Sequence, residues 1–213
     1  MNKLSFVASM LMMCLPMTMM AQKNGAKAQD KPDPNFQIYL CFGQSNMEGN
    51  ANIEDIDRTG VNPRFMAMYA VDDEKAGWKK GQWHTAVPPQ ARPDTGLTPV
   101  DYFGRKMVDN LPDSIKVGTI TVAVGGASID LFDKRTCKAY LKKQPDWMKN
   151  FASQYNGNPY ARLIELAKIA QKQGVIKGIL LHQGETNNGD VNWPNRVKTV
   201  YNDILKELHL KAE

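Results

Sequence analysis

The chain has 213 residues and a formal net charge of +5, with 42% apolar and 23% charged residues. This length suits one domain with a core of its own, and the composition is ordinary for a globular protein. The charge is mild and spread along the chain, without a basic block interleaved with aromatic residues. Nucleic acid is therefore not the expected partner.

The first 21 residues differ from the rest of the chain. Lys3 precedes an apolar, Met-rich stretch at 4–20, and Ala21 supplies a small residue after it. This pattern predicts a signal peptide over 1–21 that is cleaved near Ala21, which places the mature protein outside the cytoplasm, secreted or periplasmic, with no membrane span. A retained N-terminal anchor is the alternative. The polar residues 22–35 contain two prolines and predict a flexible linker, so the domain occupies 36–213.

Short apolar runs alternate with helical patterns after residue 35. The strand candidates are 36–42, 65–71, 115–124 and 175–181, and the helix candidates are 98–110, 159–173 and 197–210. Thr98 is the expected N-cap of the first helix, with Pro99 at its first position. The alternation predicts an α/β fold in which a parallel sheet is flanked by helices. Residues 72–96 show no clear period and are expected to form a long loop over one end of the sheet.

Two cysteines remain after the predicted cleavage, and neither indicates a metal. Cys41 lies in an apolar run and is expected to be buried, whereas Cys137 lies in a polar stretch. A disulfide between them is allowed in an extracytoplasmic compartment but is not indicated. No paired Cys or His spacing is typical of a zinc site.

Ser45 directly follows the first strand candidate and begins a helix. In an open parallel sheet, ligands bind beyond the carboxyl ends of the strands. A serine at that edge, beside the positive end of a helix, has the position of a nucleophile for acyl transfer. The alternative is that Ser45 is only a helix N-cap.

The strand candidates 115–124 and 175–181 are also followed by segments of glycine or polar residues. Together with the segment around Ser45, these segments should converge at one edge of the sheet. Gly125 and Gly126 could present backbone N–H groups to an oxyanion, or they could simply form a tight turn. Gln183 could donate a side-chain N–H to an oxyanion, and Glu185 could orient a catalytic imidazole. His182 is either part of the site or a satisfied histidine at a strand end.

These segments together resemble one branch of a known superfamily. Gly-Gln-Ser-Asn-Met at 43–47, Val-Gly-Gly-Ala-Ser-Ile at 124–129 and His-Gln-Gly-Glu at 182–185 are similar to the three ordered motifs of the sialate O-acetylesterase and acetylxylan esterase branch of the SGNH hydrolases, carbohydrate esterase family six and its relatives. The similarity spans about residues 36–210. It implies a three-layer, flavodoxin-like fold, no metal, no organic cofactor, and deacetylation of a carbohydrate hydroxyl through an acetyl-enzyme.

The resemblance also implies roles for individual residues. Ser45 is the nucleophile, the glycine of the second motif is Gly126 or Gly125, and Gln183 replaces the Asn of other SGNH enzymes. Glu185 is an auxiliary acid near the base. The remaining motif residues are expected to bind substrate: Gln44, Asn46, Gly125 and His182.

One departure from the family concerns the catalytic base. The family has a late Asp-x-x-His motif, and this chain has none; its histidines are His84, His182 and His209. The chain also stops after its last predicted helix, where a further strand and helix are expected. The sequence is therefore interpreted as C-terminally truncated, or as a member that has lost its base and has little activity. A non-catalytic carbohydrate-binding or scaffold protein on the same fold is the alternative.

Overall fold

A computed structural model describes residues 31–212. The predicted signal peptide at 1–21 lies outside the described residues, as does most of the predicted linker. The described part contains one five-stranded sheet with strand order β3-β2-β4-β1-β5. The strands are β1 (Phe36–Gly43), β2 (Phe65–Met68), β3 (Trp83–Thr85), β4 (Lys116–Ala123) and β5 (Val175–His182). Four of them are parallel and only β3 is antiparallel, so the predicted parallel sheet is confirmed.

Strand β1 lies in the interior of the sheet, between β4 and β5. Gly43 at its end is in register with Ala123 of β4 and with His182 of β5. A strand that is bonded on both sides and covered on both faces is expected to be almost continuously apolar, as β1 is. Because the three strands are parallel and end in register, the segments that follow them begin at the same edge of the sheet.

Helices cover both faces of the sheet and complete three layers. They are α1 (Ser45–Glu48), α2 (Asp55–Arg58), α3 (Pro99–Asn110), α4 (Cys137–Lys142), α5 (Asp146–Ser153), α6 (Pro159–Ala170) and α7 (Trp193–Leu208), with two 3-10 turns at Ile129–Phe132 and Glu185–Asn187. Ile38 and Leu40 of β1 pack in one core with α6 and α7, whereas Cys41 packs with α3 on the other face. Thr98 caps α3 as expected, because its side chain accepts from the Val100 N–H at 3.4 Å.

Several local expectations differ from the structure. The loop 72–96 contains β3, whose three residues are defined only by their pairing with β2 and carry no periodic signal. Helices α4 and α5 lie in a stretch where no helix was predicted. The apolar run at 175–181 predicts a buried strand, but β5 is an edge strand of the described sheet and none of its residues is fully buried. An apolar run looks the same in sequence whether its strand is internal or at an edge.

Part of the range predicted as a linker is hydrogen-bonded to the rest of the domain. The N–H of Asp33 donates to the carbonyl of Gln173 at 3.1 Å, and the N–H of Lys116 donates to the carbonyl of Asn35 at 2.8 Å. These bonds connect the residues just before β1 to the start of β4 and to the turn that follows α6. No helix within residues 31–212 combines the length and the hydropathy that crossing a membrane requires.

The two described cysteines are free thiols on different elements, so they form no disulfide. Cys41 is fully buried, as expected, and burial raises the pKa of its thiol to about 12. Cys137 is also buried, despite its polar sequence neighbours, and burial raises its pKa to about 11. Both thiols are therefore neutral and act as small core residues.

Helix α3 approaches β2 closely at Gly104, and this contact generates a prediction. A Cβ on Gly104 would lie 1.9 Å from Cε2 of the fully buried Phe65. Alanine normally favours a helix interior by about 1 kcal/mol over glycine, but overpacking a rigid core costs about 1–3 kcal/mol or more. We expect Gly104→Ala to lower the free energy of unfolding by about 2 kcal/mol in urea denaturation. Lys106→Ala, at an exposed position of the same helix, should change it by less than about 0.5 kcal/mol. A stabilised Gly104→Ala protein would contradict the close packing.

Candidate active site

Ser45 lies at the point where β1 becomes α1. Gly43 ends the strand so close to β5 that a Cβ there would lie 2.1 Å from the carbonyl oxygen of His182. Gln44 then occupies the N-cap position and Ser45 is the first helical residue, so Ser45 is not the N-cap. Its side chain is partly exposed, and its hydroxyl makes no hydrogen bond with any residue of 31–212.

The two glycines after β4 differ in what their N–H groups do. The N–H of Gly125 donates to Oε1 of Glu48 at 3.0 Å. The N–H of Gly126 donates to no acceptor in the described part of the chain, and the same holds for the N–H of Ser45. A Cβ on Gly125 would lie 3.9 Å from Cβ of Ser45, which shows how closely the turn approaches the serine. Of the two glycines, Gly126 therefore has the free backbone donor.

Gln183 is buried and its amide is occupied by protein groups. Its Nε2 lies 3.2 Å from Oε1 of Gln44, 3.2 Å from the carbonyl of Ala127 and 2.7 Å from Oδ1 of Asn187. Its Oε1 accepts from the indole N–H of Trp193 at 2.6 Å, which fixes the orientation of the amide. An amide nitrogen has two hydrogens, and these acceptors account for both. Donation to an oxyanion would require one of these bonds to break.

Gln44 supports the turn that follows β5. Its Oε1 accepts from the N–H groups of Gly184 at 3.4 Å and Thr186 at 3.2 Å, in addition to the amide of Gln183. Backbone N–H groups can only donate, so this end of the Gln44 amide must be the oxygen. Gln44 thus connects the segment after β1 to the segment after β5.

Three expected site residues meet at the exposed surface of this edge. Asn46 donates from Nδ2 to Oε1 of Glu185 at 2.6 Å, and Nε2 of His182 lies 3.4 Å from the same oxygen. All three side chains are exposed. Asn46 and His182 also line a cavity of about 390 Å³, together with residues of the segment 97–102 that includes the start of α3.

The other two histidines lie far from Ser45. His84 is in β3, three strand spacings or about 14 Å from β1. It stacks on Trp78 with ring centroids 5.1 Å apart, and burial lowers the pKa of its imidazole. His209 follows α7, whose 16 residues span about 24 Å from the end that contacts Gln183. His182 is therefore the described histidine at the edge that carries Ser45.

No group of three His, Cys, Asp or Glu side chains that could hold a metal ion occurs within residues 31–212.

Comparison with protein-family models gives a match over nearly the whole chain. The model described as "Carbohydrate esterase, sialic acid-specific acetylesterase" matches residues 35–212. The chain belongs to this family of carbohydrate esterases. The match covers all three segments that meet at the sheet edge, and it confirms the resemblance to the sialate O-acetylesterase branch.

Solved structures share the fold of this esterase domain. A protein from Arabidopsis thaliana is 19% identical with a TM-score of 0.60, and the match covers 84% of this chain and 71% of that one. A carbohydrate acetylesterase from Xanthomonas citri is 19% identical with a TM-score of 0.54, over 82% and 39% of the two chains. NanS is 16% identical with a TM-score of 0.55, over 84% and 63%. The chain thus spans less than two thirds of the last two proteins, and at these identities the likeness concerns the fold.

The esterase domain also contains a buried ion pair that the sequence did not reveal. Glu48 is one helical turn after Ser45, and its Oε1 accepts from the guanidinium of Arg92 as well as from the N–H of Gly125. Arg92 is 1% exposed, donates to the carbonyl of Ala123 at 3.1 Å and lies 4.5 Å from the ring centre of Phe151. Glu48 could have been noticed because it follows the serine motif directly. Arg92 lies in the loop 72–96, where no pattern marks it.

This ion pair generates a prediction about stability. Removing one partner of a buried pair costs about 3–5 kcal/mol when the other charge is left uncompensated, and Arg92 would keep only the half-exposed carboxylate of Asp94, 3.3 Å from its Nε. We expect Glu48→Gln to lower the free energy of unfolding in urea by about 3 kcal/mol, and the Glu48→Gln/Arg92→Met protein to lose less than the sum of its single changes. Asp109→Asn is a matched control, because its exposed pair with Lys106 at 3.9 Å should contribute less than about 1 kcal/mol. Equal losses in Glu48→Gln and Asp109→Asn would contradict the role of the pair.

Proposed function

We propose that the chain is a serine esterase that removes O-acetyl groups from carbohydrates through an acetyl-enzyme on Ser45. The observation that carries this proposal is the arrangement at the end of β1. A partly exposed serine hydroxyl lies beside two backbone N–H groups, those of Ser45 and Gly126, that have no acceptor within residues 31–212. Family membership supplies the carbohydrate ester as the substrate class.

The two free N–H groups are the proposed oxyanion donors. Attack of the Ser45 hydroxyl on the acetyl carbonyl carbon forms a C–O bond, passes the hydroxyl proton to the base and places a negative charge on the carbonyl oxygen. Collapse of this intermediate breaks the bond between the acetyl carbon and the sugar oxygen, and the sugar leaves as an alcohol that takes the proton from the base. Backbone donors aimed at that oxygen stabilise it, and one such donor contributes on the order of 10²–10³ in rate. We propose the N–H of Gly126, and not that of Gly125, as the second oxyanion donor, because the N–H of Gly125 is already bonded to Glu48. Water then releases acetate from the serine in a second step.

Gln183 and Gln44 are proposed to hold this arrangement in place. Their amides connect the turns after β1, β4 and β5, so they position the free N–H groups. The expected role of Gln183 as an oxyanion donor remains a prediction that depends on a rearrangement of its hydrogen bonds.

His182 is the proposed base among the described residues. It lies at the same edge, and Glu185 is placed to orient its imidazole and to stabilise the protonated form. The His182 side chain is exposed and makes no hydrogen bond to Ser45, so it activates the serine only after a movement of the side chain. We therefore expect slow turnover by this chain. Because no side chain among residues 31–212 is hydrogen-bonded to the Ser45 hydroxyl, we also consider a second candidate function, a non-catalytic carbohydrate-binding protein on this fold.

The expected compartment follows from the sequence. The predicted signal peptide at 1–21 would direct the esterase out of the cytoplasm. We propose a secreted or periplasmic location for the mature protein.

Release of acetate tests the nucleophile. Acetylated xylan, an O-acetylated sialic acid and a small aryl acetate would each be incubated with the protein and its Ser45→Ala variant. We expect turnover of at least one substrate and a loss of about 10³-fold or more in Ser45→Ala, because the acetyl-enzyme cannot form. Ser153→Ala removes an exposed serine of α5 and serves as the matched control, with activity unchanged. His182→Ala should lose about 10²-fold or more if His182 is the base.

The outcomes separate the two candidate functions. Turnover that survives Ser45→Ala would exclude Ser45 as the nucleophile. Binding of an acetylated sugar without any turnover would favour the non-catalytic function. Activity that depends on Ser45 but not on His182 would show that another group acts as the base.

A further inference from the structure

We infer that Trp147 is a stacking platform for a pyranose ring of the acetylated glycan. This inference rests on the proposed function, because it assigns a sugar subsite beside the serine. Trp147 is the second residue of α5 and is 48% exposed, one of few large apolar side chains in the described part with such exposure. An isolated exposed tryptophan needs no explanation by itself. The position of Trp147 beside Gly126 and the contacts that hold its ring in place indicate a role.

The indole lies directly against the turn that carries the proposed oxyanion donor. A Cβ on Gly126 would lie 2.9 Å from Cη2 of Trp147, so the indole packs directly against this glycine. Gly126 also has a φ of +69°, a left-handed conformation that disfavours other residues. The same glycine therefore presents a free N–H to the reaction and allows the close approach of the indole.

The platform is within reach of the nucleophile. Cβ of Ser45 lies 3.9 Å from the position that a Cβ on Gly125 would occupy. Gly126, the next residue, contacts the indole. Adding the backbone geometry of one peptide unit, Cη2 of Trp147 lies no more than about 14 Å from Cβ of Ser45. An oligosaccharide whose acetylated unit lies at Ser45 can therefore place a ring over Trp147.

A series of contacts holds the indole in place. Trp147 packs edge-on against Phe151, with ring centroids 5.8 Å apart, and the guanidinium of Arg92 covers the ring of Phe151 at 4.5 Å. Arg92 is in turn paired with Glu48 in the core. Met148, the neighbour of Trp147 in α5, is 2% exposed and anchors the helix. The exposed ring is therefore pre-organised, which lowers the entropic cost of binding.

The chemistry of the surroundings favours a carbohydrate over a lipid ester. A pyranose ring has an apolar face of C–H groups that suits an aromatic ring, and hydroxyls at its edge that need polar partners. Phe151 also lines a cavity of about 600 Å³ whose other walls include polar side chains. Those side chains are Asn50, Asn52, Arg58 and Asp94. A site for an acyl chain would instead be lined mainly by apolar groups.

Binding to a protein that cannot turn over its ligand tests the platform. The Ser45→Ala protein would be titrated calorimetrically with an acetylated xylo-oligosaccharide and with an O-acetylated sialic acid. We expect Trp147→Ala in this background to weaken binding of at least one ligand by about tenfold or more, and Trp147→Phe to stay within about threefold. Ile56→Ala removes another exposed apolar side chain, from α2, and should leave the affinity unchanged. In NMR spectra, the indole N–H resonance of Trp147 can be assigned because it is missing from the spectrum of Trp147→Phe. We expect this resonance to shift when sugar is added to the Ser45→Ala protein.

Two results would overturn the inference. One is an unchanged affinity in a folded Trp147→Ala protein, as judged by its circular dichroism spectrum and melting temperature. The other is the absence of measurable binding of either ligand to the Ser45→Ala protein. Both are independent of acetate release, so loss of the platform and loss of the proposed esterase activity are distinguishable.

Discussion

The parallel pairing of β1 with both β4 and β5 is the constraint on which the site depends. Gly43 is in register with Ala123 and with His182, so the chain leaves the three strands side by side. A slip of one residue would turn the apolar face of a strand towards solvent, and the cores on both faces of the sheet oppose it. The hydrophobic cores thereby fix the positions of polar segments that contribute little to them.

Hydrogen bonds between side-chain amides connect the segments at this edge of the sheet. Gln44 and Gln183 bond to each other and to the turns, and Asn187 accepts from the N–H of Ile129 at 3.0 Å while donating to the hydroxyl of Ser128 at 3.1 Å. Buried polar networks of this kind rigidify a structure when their members are satisfied. Because the amides of Gln44 and Gln183 are occupied by the protein, they are not free to bind a ligand, whereas the backbone N–H groups of Ser45 and Gly126 have no acceptor within residues 31–212.

The ion pair between Glu48 and Arg92 extends this rigidity to the outer parts of the site. It connects helix α1, which begins at Ser45, with the turn after β4, the loop 72–96 and, through Phe151, helix α5. A loop that lacks a regular period can contribute to a site when one of its side chains is held in the core. The surface around Ser45 is thus assembled from distant parts of the chain that share one buried charge pair.

Sequence alone determined the parallel α/β architecture and the placement of Ser45, because apolar runs, the Thr98 cap and the motif glycines are local signals. It could not choose between Gly125 and Gly126, since that choice depends on a carboxylate 77 residues away in the chain. Nor could it reveal Arg92, the bonded state of Gln183, the remoteness of His84 or the indole against Gly126. These features are contacts between residues far apart in sequence, and only the packing of the sheet and its helices brings such residues together.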